Sequence, residues 1–511
     1  MSRNPAPPPE PLEGHRLKAR RLGVDTHFEA VVLMHKQCPV CRSEGFTAHR
    51  RVLLRTADRH IIATLYQVDG GWLGLDEAGL SDSAWKRLGL KEGDAVAVSH
   101  HDTIDSLGLV RSRIYGQTFH DAALRAIVGD IVDGKYSDIH ISSFLTACAT
   151  KPLDRSEVLA LTRAMVDVGD RLTWDKDIVV DKHSVGGLPG NRTTPIIVSV
   201  AAALGLTMPK TSSRAITSPA GTADMMETLA PVELDVDAIH RVVDKEGGCI
   251  VWGGSVNLSP ADDILIRVER ALDIDTEGQM IASVMSKKIA AGATHLVLDL
   301  PIGATTKVRS EKAAQSLTQG LLAVAEVFGI RAQVILSSGQ EPIGRGLGPA
   351  LEARDVLDVL QCKKDAPLDL RRRALALAGP LLELAGVAAE GQGEALAART
   401  IDNGAAWAKF QRICEAQGGM REPPTARHHH PLAAARSGRL AAIDNRKISR
   451  LAKLAGAPDA KSAGIVLHVH LEETVVAGQP LCTVHTDAPG ELAYALSYAA
   501  ANPDIFRIED I

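Results

Sequence analysis

The stretch Asp177-Ile178-Val179-Val180-Asp181-Lys182-His183-Ser184-Val185-Gly186-Gly187-Leu188-Pro189-Gly190-Asn191-Arg192-Thr193-Thr194-Pro195-Ile196-Ile197-Val198-Ser199-Val200 changes character twice. A short apolar run ends at Ser184, a loop with three glycines follows, and a longer apolar segment, TPIIVSVAAALGL, then runs at helix length. The order is strand, loop, helix. Glycines let a backbone approach an anion closely, and the N-terminus of the helix behind them turns its N–H groups toward that anion. Lys182 adds a point charge, and Ser184 and Thr193 add hydroxyl donors. The bland alternative is a tight turn carrying incidental polar residues. The density of Lys, His, hydroxyl and Gly in one loop favours an anion cradle.

A second loop of the same kind follows the strand-like LTMPK: Thr211-Ser212-Ser213-Arg214-Ala215-Ile216-Thr217-Ser218-Pro219-Ala220-Gly221-Thr222-Ala223-Asp224. Its hydroxyls and Arg make a donor surface suited to phosphate or sugar oxygens. A Ser/Thr-rich loop alone is usually a solvated loop; two donor-rich loops at successive strand–helix junctions can serve one site.

Working outward, CIVWGG, THLVLDLPIG and IRAQVILSS read as further strands, separated by helices such as EKAAQSLTQGLLAVAEVFG. Strands alternating with helices predict a largely parallel sheet with its sites at the strand C-termini. Residues 101–170 read as helices, with Gly134 as a C-cap, Ser137 as an N-cap and a third helix starting at Ser156. Residues 261–292 read as helix again and are expected to pack back on that block. Short strands dominate 15–100, and the last, KEGDAVAVSH, resembles the closing strand of a small barrel. After the PPTARHHHPLAAA linker, 432–511 reads as paired strands and a closing helix. The expected class is therefore α/β. It comprises a leader (1–14), an extra N-terminal β-rich domain (15–100), a split helical domain (101–170 and 261–292), a phosphate-binding α/β domain with a mixed, largely parallel sheet (171–260 and 293–425), and a C-terminal α+β region (432–511).

Composition narrows the function. The chain has 511 residues, 45% of them hydrophobic and only 3% aromatic, with a formal net charge of −5. Scarce aromatics and a negative balance argue against a nucleic-acid partner, which would call for stacking faces and a basic surface. Apolar runs of bilayer length are absent from the sequence. The seven scattered Cys fit a reducing compartment, so a cytoplasmic protein is expected, with no membrane partner. Cys38-Pro39-Val40-Cys41 is a single C-x-x-C, and even with His35 and His49 it lacks the spacing of a four-ligand set, so no metal is expected. His428-His429-His430 reads as an exposed loop, and Gly339 to Gly348 as a closely packed loop.

Taken together, the motifs resemble the thymidine and pyrimidine-nucleoside phosphorylase family, and chain-wide they are most similar to its AMP-phosphorylase branch. DKHS-x-GG, S-x-R-x(6)-GT-x-D from Ser212 to Asp224, Ile281 to Lys288 and the C-terminal KSAGI…GQPL…VHT carry the resemblance over roughly residues 95 to 511. It implies inorganic phosphate as co-substrate and no cofactor, bound by Lys182, Ser184, Ser212 and Thr222. Gly187, Ser213, Arg214, Ala215, Ile216, Thr217, Ser218, Thr222, Ser283 and Lys307 match nucleotide-binding positions of the AMP enzymes. Lys287 matches a lysine that holds the base carbonyl, and Asp275 stands where that branch places its proton donor. His183 is the competing donor, because its ordinary pKa lies close to the working pH. The implied reaction is phosphorolysis of a pyrimidine nucleoside, thymidine and phosphate giving thymine and 2-deoxyribose 1-phosphate. The alternative is a nucleoside 5′-monophosphate as substrate, giving ribose 1,5-bisphosphate and free base. A homodimer or higher homo-oligomer is expected. The second loop departs from the pyrimidine pattern SGRGLGHTGGT by reading SSRAITSPAGT, which replaces a Gly- and His-bearing wall with hydroxyls. Two rivals are a phosphoribosyltransferase of the anthranilate type, which would need acidic metal ligands, and a non-catalytic nucleotide sensor.

Overall fold

The computed structural model describes residues 16–26, 29–274 and 276–510. It contains two compact units, Met1–Lys151 with Ile264–Ile274, and Pro152–Asp263 with Asp275–Ile511.

The first unit opens with six strands: β1 (Arg16–Arg21), β2 (Val31–His35), β3 (Arg51–Arg55), β4 (His60–Val68), β5 (Glu77–Leu80) and β6 (Ala95–Ser99). They close into a barrel in the order β1-β5-β2-β4-β3-β6, and β6 seals it against β1 with Leu17 opposite Val96. Alternation drives the closure: Val52 and Leu54 of β3 and Leu17 and Ala19 of β1 point into a common core while their neighbours face out. A closed barrel leaves no unpaired edge. Helices Ser106–Ile114, Asp121–Val132 and Asp138–Thr150 follow. Gly134, in the left-handed region at φ 75°, ends the second, and Ser137 caps the third.

In the second unit, helix Arg155–Asp167 begins one residue earlier than Ser156. Asp154 caps it and Glu157 reaches back, a reciprocal pair that outcompetes the Ser156 hydroxyl for the first-turn donors. This helix packs on helix Glu277–Ala290. Both belong to the second unit; of the segments read as helical from the sequence, residues 101–151 and 264–274 lie in the first unit, and 152–170, 261–263 and 276–292 in the second.

The α/β sheet consists of β7 (Val180–Ser184), β8 (Met208–Ser212), β9 (Gly248–Trp252), β10 (His295–Ile302) and β11 (Arg331–Ser338). Every pairing in it is parallel: β11-β10-β7 on one side, β8-β9 on the other, joined by a Val179–Thr207 bridge. Helix Thr193–Ala203 is buried all round, as its unbroken apolar sequence demands.

The C-terminal region adds β12 (Gly346–Leu347), β13 (His428–Ala433), β14 (Gly438–Ile443), β15 (Gly464–Leu467), β16 (Thr474–Val475), β17 (Pro480–Thr486) and β18 (Phe506–Glu509), with helices Asn445–Leu454 and Pro489–Ala501. Two small sheets result, β12-β15-β17-β13 and β16-β14-β18. The three consecutive histidines are exposed but belong to β13 rather than to a loop, because β17 offers them a ladder partner and His429 packs on His485 with ring centroids 4.4 Å apart. The Gly339–Gly348 loop is indeed closely packed: Glu341 accepts from the Leu471 N–H at 3.0 Å, and Gly346 pairs with Val466.

Candidate active site

Strand β7 carries Asp181, Lys182, His183 and Ser184 to its C-terminal end. Lys182 is 1% exposed, so its ammonium needs partners within reach. It donates to Ser184 Oγ at 2.5 Å and to Thr193 Oγ1, the first residue of the next helix, at 2.7 Å. Burial pushes Lys182 down to about 8, and Asp299 in the neighbouring strand β10 opposes the shift. Asp299 is the hub of this network. Its Oδ2 accepts from Ser184 Oγ at 2.6 Å and from Asn191 Nδ2 at 3.1 Å, and its Oδ1 accepts from Ser337 Oγ at 2.5 Å. Arg373 lies 3.6 Å from the same carboxylate and donates to Ser337 at 2.7 Å. Burial works against the ionised carboxylate, but Lys182 and Arg373 hold it below the ordinary range.

The glycines are set by close approach. Gly187 has φ 95°, and a Cβ there would meet the Lys307 backbone nitrogen at 2.8 Å; one at Gly186 would lie 3.9 Å from Lys307 Cε. Lys307 therefore runs across the first loop. At Gly190, φ is 73° and a Cβ would collide with the Ile343 carbonyl at 2.0 Å.

Arg192 joins the two loops. It pairs with buried Glu352, donates to the Ala220 carbonyl at 2.5 Å, and reaches Thr222 Oγ1 at 3.3 Å. Ser212 stands at the end of β8, and its buried hydroxyl has no hydrogen-bond partner among the described residues. A buried donor without a partner costs roughly 1–3 kcal/mol, which a bound anion would recover. Lys182, Ser184 and Thr193 are thus tied into one hydrogen-bonded system, Thr222 is held separately by Arg192, and Ser212 adds a buried hydroxyl at the next strand end.

The rest of the second loop behaves differently. Arg214 forks onto Glu227 with both contacts at 2.9 Å, reaches Asp224 at 3.2 Å and Glu233 at 3.0 Å, and lies 4.8 Å above the Trp252 ring. Those hydrogen bonds raise Arg214 above its ordinary range and, with Lys461, hold Glu227 down to about 2. Three carboxylates and an aromatic face take up the Arg214 guanidinium, which braces the loop against its own neighbourhood. Ala215 N–H donates to Asp224 at 2.6 Å, the Ile216 carbonyl accepts from Lys453 at 2.9 Å, and Ser218 donates to the Ala220 carbonyl at 2.8 Å. Ser213 and Thr217 are exposed.

Ser283 and Lys287 share a face of helix Glu277–Ala290, and both are half-buried. Lys287 is salt-bridged to buried Asp262 at 2.5 Å. Its neighbour Lys288 reaches the other way, to Asp181 at 2.6 Å, and Lys210 stands 3.1 Å from the same carboxylate. His183 is half-buried beside this cluster. Burial, reinforced by Lys288, Lys210, Lys287 and Lys182, drives the imidazole well below its ordinary pKa. A ring shifted in that direction favours the neutral form, which offers a hydrogen bond to a neighbouring group. Asp275, the other expected donor, lies outside the described residues.

Three family models match the chain. Residues 176–407 match the glycosyl transferase family a/b domain, 108–169 its helical bundle domain, and 439–505 the pyrimidine nucleoside phosphorylase C-terminal domain. The chain is 59% identical over 505 residues to a protein of Sphingopyxis alaskensis described as "Putative thymidine phosphorylase", covering 99% of this chain and 98% of the relative. A Chelativorans protein of the same description is 58% identical, covering 99% of both chains.

The chain belongs to the pyrimidine-nucleoside phosphorylase family. It is a pentosyltransferase, and its substrates are a pentosyl donor and phosphate. The solved anthranilate phosphoribosyltransferase of Thermus thermophilus shares the fold at TM-score 0.50 and 20% identity, covering 60% of this chain and 98% of its own. The Saccharomyces cerevisiae enzyme does so at TM-score 0.51 and 14% identity, covering 62% and 98%. Among the described residues no helix is long and apolar enough to cross a membrane. The motifs did not announce every residue around Lys182. Asp299 and Arg373 lie beside it, and Asp299 left one sequence signal, a carboxylate inside the otherwise apolar strand HLVLDLPI.

Proposed function

We propose that this phosphorylase cleaves the N-glycosidic bond of a pyrimidine nucleoside, converting thymidine and phosphate to thymine and 2-deoxyribose 1-phosphate, with no cofactor. The observation that carries the reading is the buried Lys182 ammonium bracketed by Ser184 and Thr193, with Ser212 unpartnered at the next strand end. A phosphate dianion placed there meets one full positive charge and several hydroxyl donors in a site poor in water, where such contacts are strongest. To donate to phosphate, the Ser184 hydroxyl swings away from Asp299, which keeps its bonds from Asn191 and Ser337. C1′–N cleavage builds positive charge on the sugar, and the held dianion both stabilises that charge and captures C1′. The departing base needs a proton or a hydrogen bond. Asp275 is the proposed donor; the neutral His183 N–H is the remaining candidate.

The second reading, phosphorolysis of a nucleoside 5′-monophosphate, is favoured by one observation. Lys307 crosses Gly186 and Gly187 beside the first loop, a second cation where a 5′-phosphate could rest. A phosphate-dependent base-release assay with thymidine, uridine, AMP, CMP and UMP separates the two. Turnover of thymidine and uridine supports the nucleoside reading; turnover of the 5′-phosphates alone replaces it with the nucleotide one.

A further inference from the structure

The barrel of the first unit holds a pair of side chains that phosphorolysis leaves unused. Cys38 and Cys41 bracket Pro39-Val40 at the start of the short helix Pro39–Ser43, three residues after β2 ends. Cys38 has extended backbone (φ −61°, ψ 150°), and its Sγ accepts the Cys41 N–H at 3.2 Å. That contact holds the first thiol against the helical turn that carries the second. Residues three apart across a first helical turn have Cα atoms about 5–6 Å apart, within the ~4.4–6.8 Å that a disulfide spans.

Both thiols belong to the barrel core, at 0% and 3% exposure. Lys36, Gln37, Pro39 and Arg42 to Gly45 around them are all exposed, so the pair lies just beneath the surface. Cys148, Cys249, Cys414 and Cys482 are buried and stand alone in the sequence, and Cys362 is exposed.

We infer that Cys38 and Cys41 are a redox-active dithiol, closed to an intramolecular disulfide by a small peroxide and reopened by a dithiol reductant. A compact oxidant suits a pair one layer below the surface. Hydrogen bonds from the Cys41 thiol and N–H pull Cys38 below the ordinary thiol range, while Cys41 is raised as the donor. Cys38 is therefore the attacking sulfur. Its thiolate attacks one peroxide oxygen; an S–O bond forms, the O–O bond breaks, and the departing hydroxide takes a proton to become water. The Cys41 sulfur then attacks the Cys38 sulfenic sulfur, forming S–S and breaking S–O. The Cys41 proton and the displaced hydroxide make a second water. Two thiols and one hydrogen peroxide become one disulfide and two waters, with two electrons passing from sulfur to peroxide.

The test treats the full chain with one equivalent of hydrogen peroxide near neutral pH, then denatures and alkylates it with and without dithiothreitol, and maps the peptides by mass. The expected result is a 38–41 peptide two hydrogens lighter that takes both alkyl groups only after reduction, formed roughly tenfold faster than Cys362 is oxidised. Cys41→Ser should halt the reaction at a Cys38 sulfenic acid trapped by dimedone, and Cys38→Ser should leave Cys41 alkylatable. The inference is overturned if the wild-type 38–41 peptide stays reduced at doses that oxidise Cys362, or passes to sulfinic acid without a disulfide. The wild-type mapping decides this even where a variant does not fold.

Discussion

The two donor-rich loops look alike as sequence and do opposite things as structure. In the first, around Lys182, side chains converge on one ammonium, and the carboxylate that balances it, Asp299, lies below on the neighbouring strand. In the second, the cation is Arg214, and it is consumed by Asp224, Glu227 and Glu233 of its own neighbourhood. Ser212 and Thr222 stand at the two ends of that loop, the first with its buried hydroxyl unpartnered and the second reached by Arg192. A loop rich in hydroxyls and cations suits an anion only if the fold leaves positive charge in excess. Two cations, Lys182 and Arg373, face the single carboxylate of Asp299, whereas Arg214 faces three carboxylates, which turns the middle of the second loop into a brace.

The largest effect expected from that difference is at Lys182. Lys182→Ala should lower phosphate-dependent base release by roughly 10²–10³-fold, the loss typical of removing one preorganised donor to a charged transition state. Equal loss from Arg214→Ala would erase the contrast between the loops.

Asp299→Asn comes next. It leaves Lys182 and Arg373 without their shared counter-charge, and breaking a buried pair in this way costs about 3–5 kcal/mol. Denaturant unfolding should report a loss near that size, together with a raised KM for phosphate. A stable variant with unaltered KM would show that Asp299 does not govern the loop.

The pH dependence sharpens the comparison further. Lys182 is lowered to about 8, so the free enzyme keeps the ammonium below that pH and loses it above. Bound phosphate favours the protonated form, so the KM for phosphate, expressed as the dianion, should be flat below pH 8 and rise by up to about tenfold per pH unit above it. His183→Gln should leave that alkaline limb in place, because the imidazole is already neutral there.

Arg214→Met should have the smallest effect, a loss on the order of 1 kcal/mol in stability with the KM for phosphate within about threefold of wild type. A rise in the KM of the nucleoside alone would assign the brace to placing the sugar side of the loop.

Much of this was legible beforehand. Period-two alternation disclosed the barrel strands, and the strand–loop–helix order around Lys182 disclosed the parallel sheet. The sequence alone leaves the start of the helix Arg155–Asp167 open, because Ser156 and Asp154 are both capping residues and only the Glu157 reach-back selects Asp154 as the cap. The histidine strand was missed because its partner, Pro480–Thr486, lies about fifty residues downstream. In the site, hydroxyls and lysine could be read locally, whereas Asp299 and Arg373 enter from distant strands and helices. Charge balance is a tertiary property, so the sequence of the second loop could not reveal that Arg214 was already spoken for.

The central claim is that phosphate sits on the first loop, and equilibrium binding tests it most directly. Titration calorimetry of inorganic phosphate should give saturable binding near one per chain for the wild type and for Arg214→Met, and none for Lys182→Met with its fold verified by circular dichroism. Undiminished phosphate binding by a folded Lys182→Met chain would contradict the account.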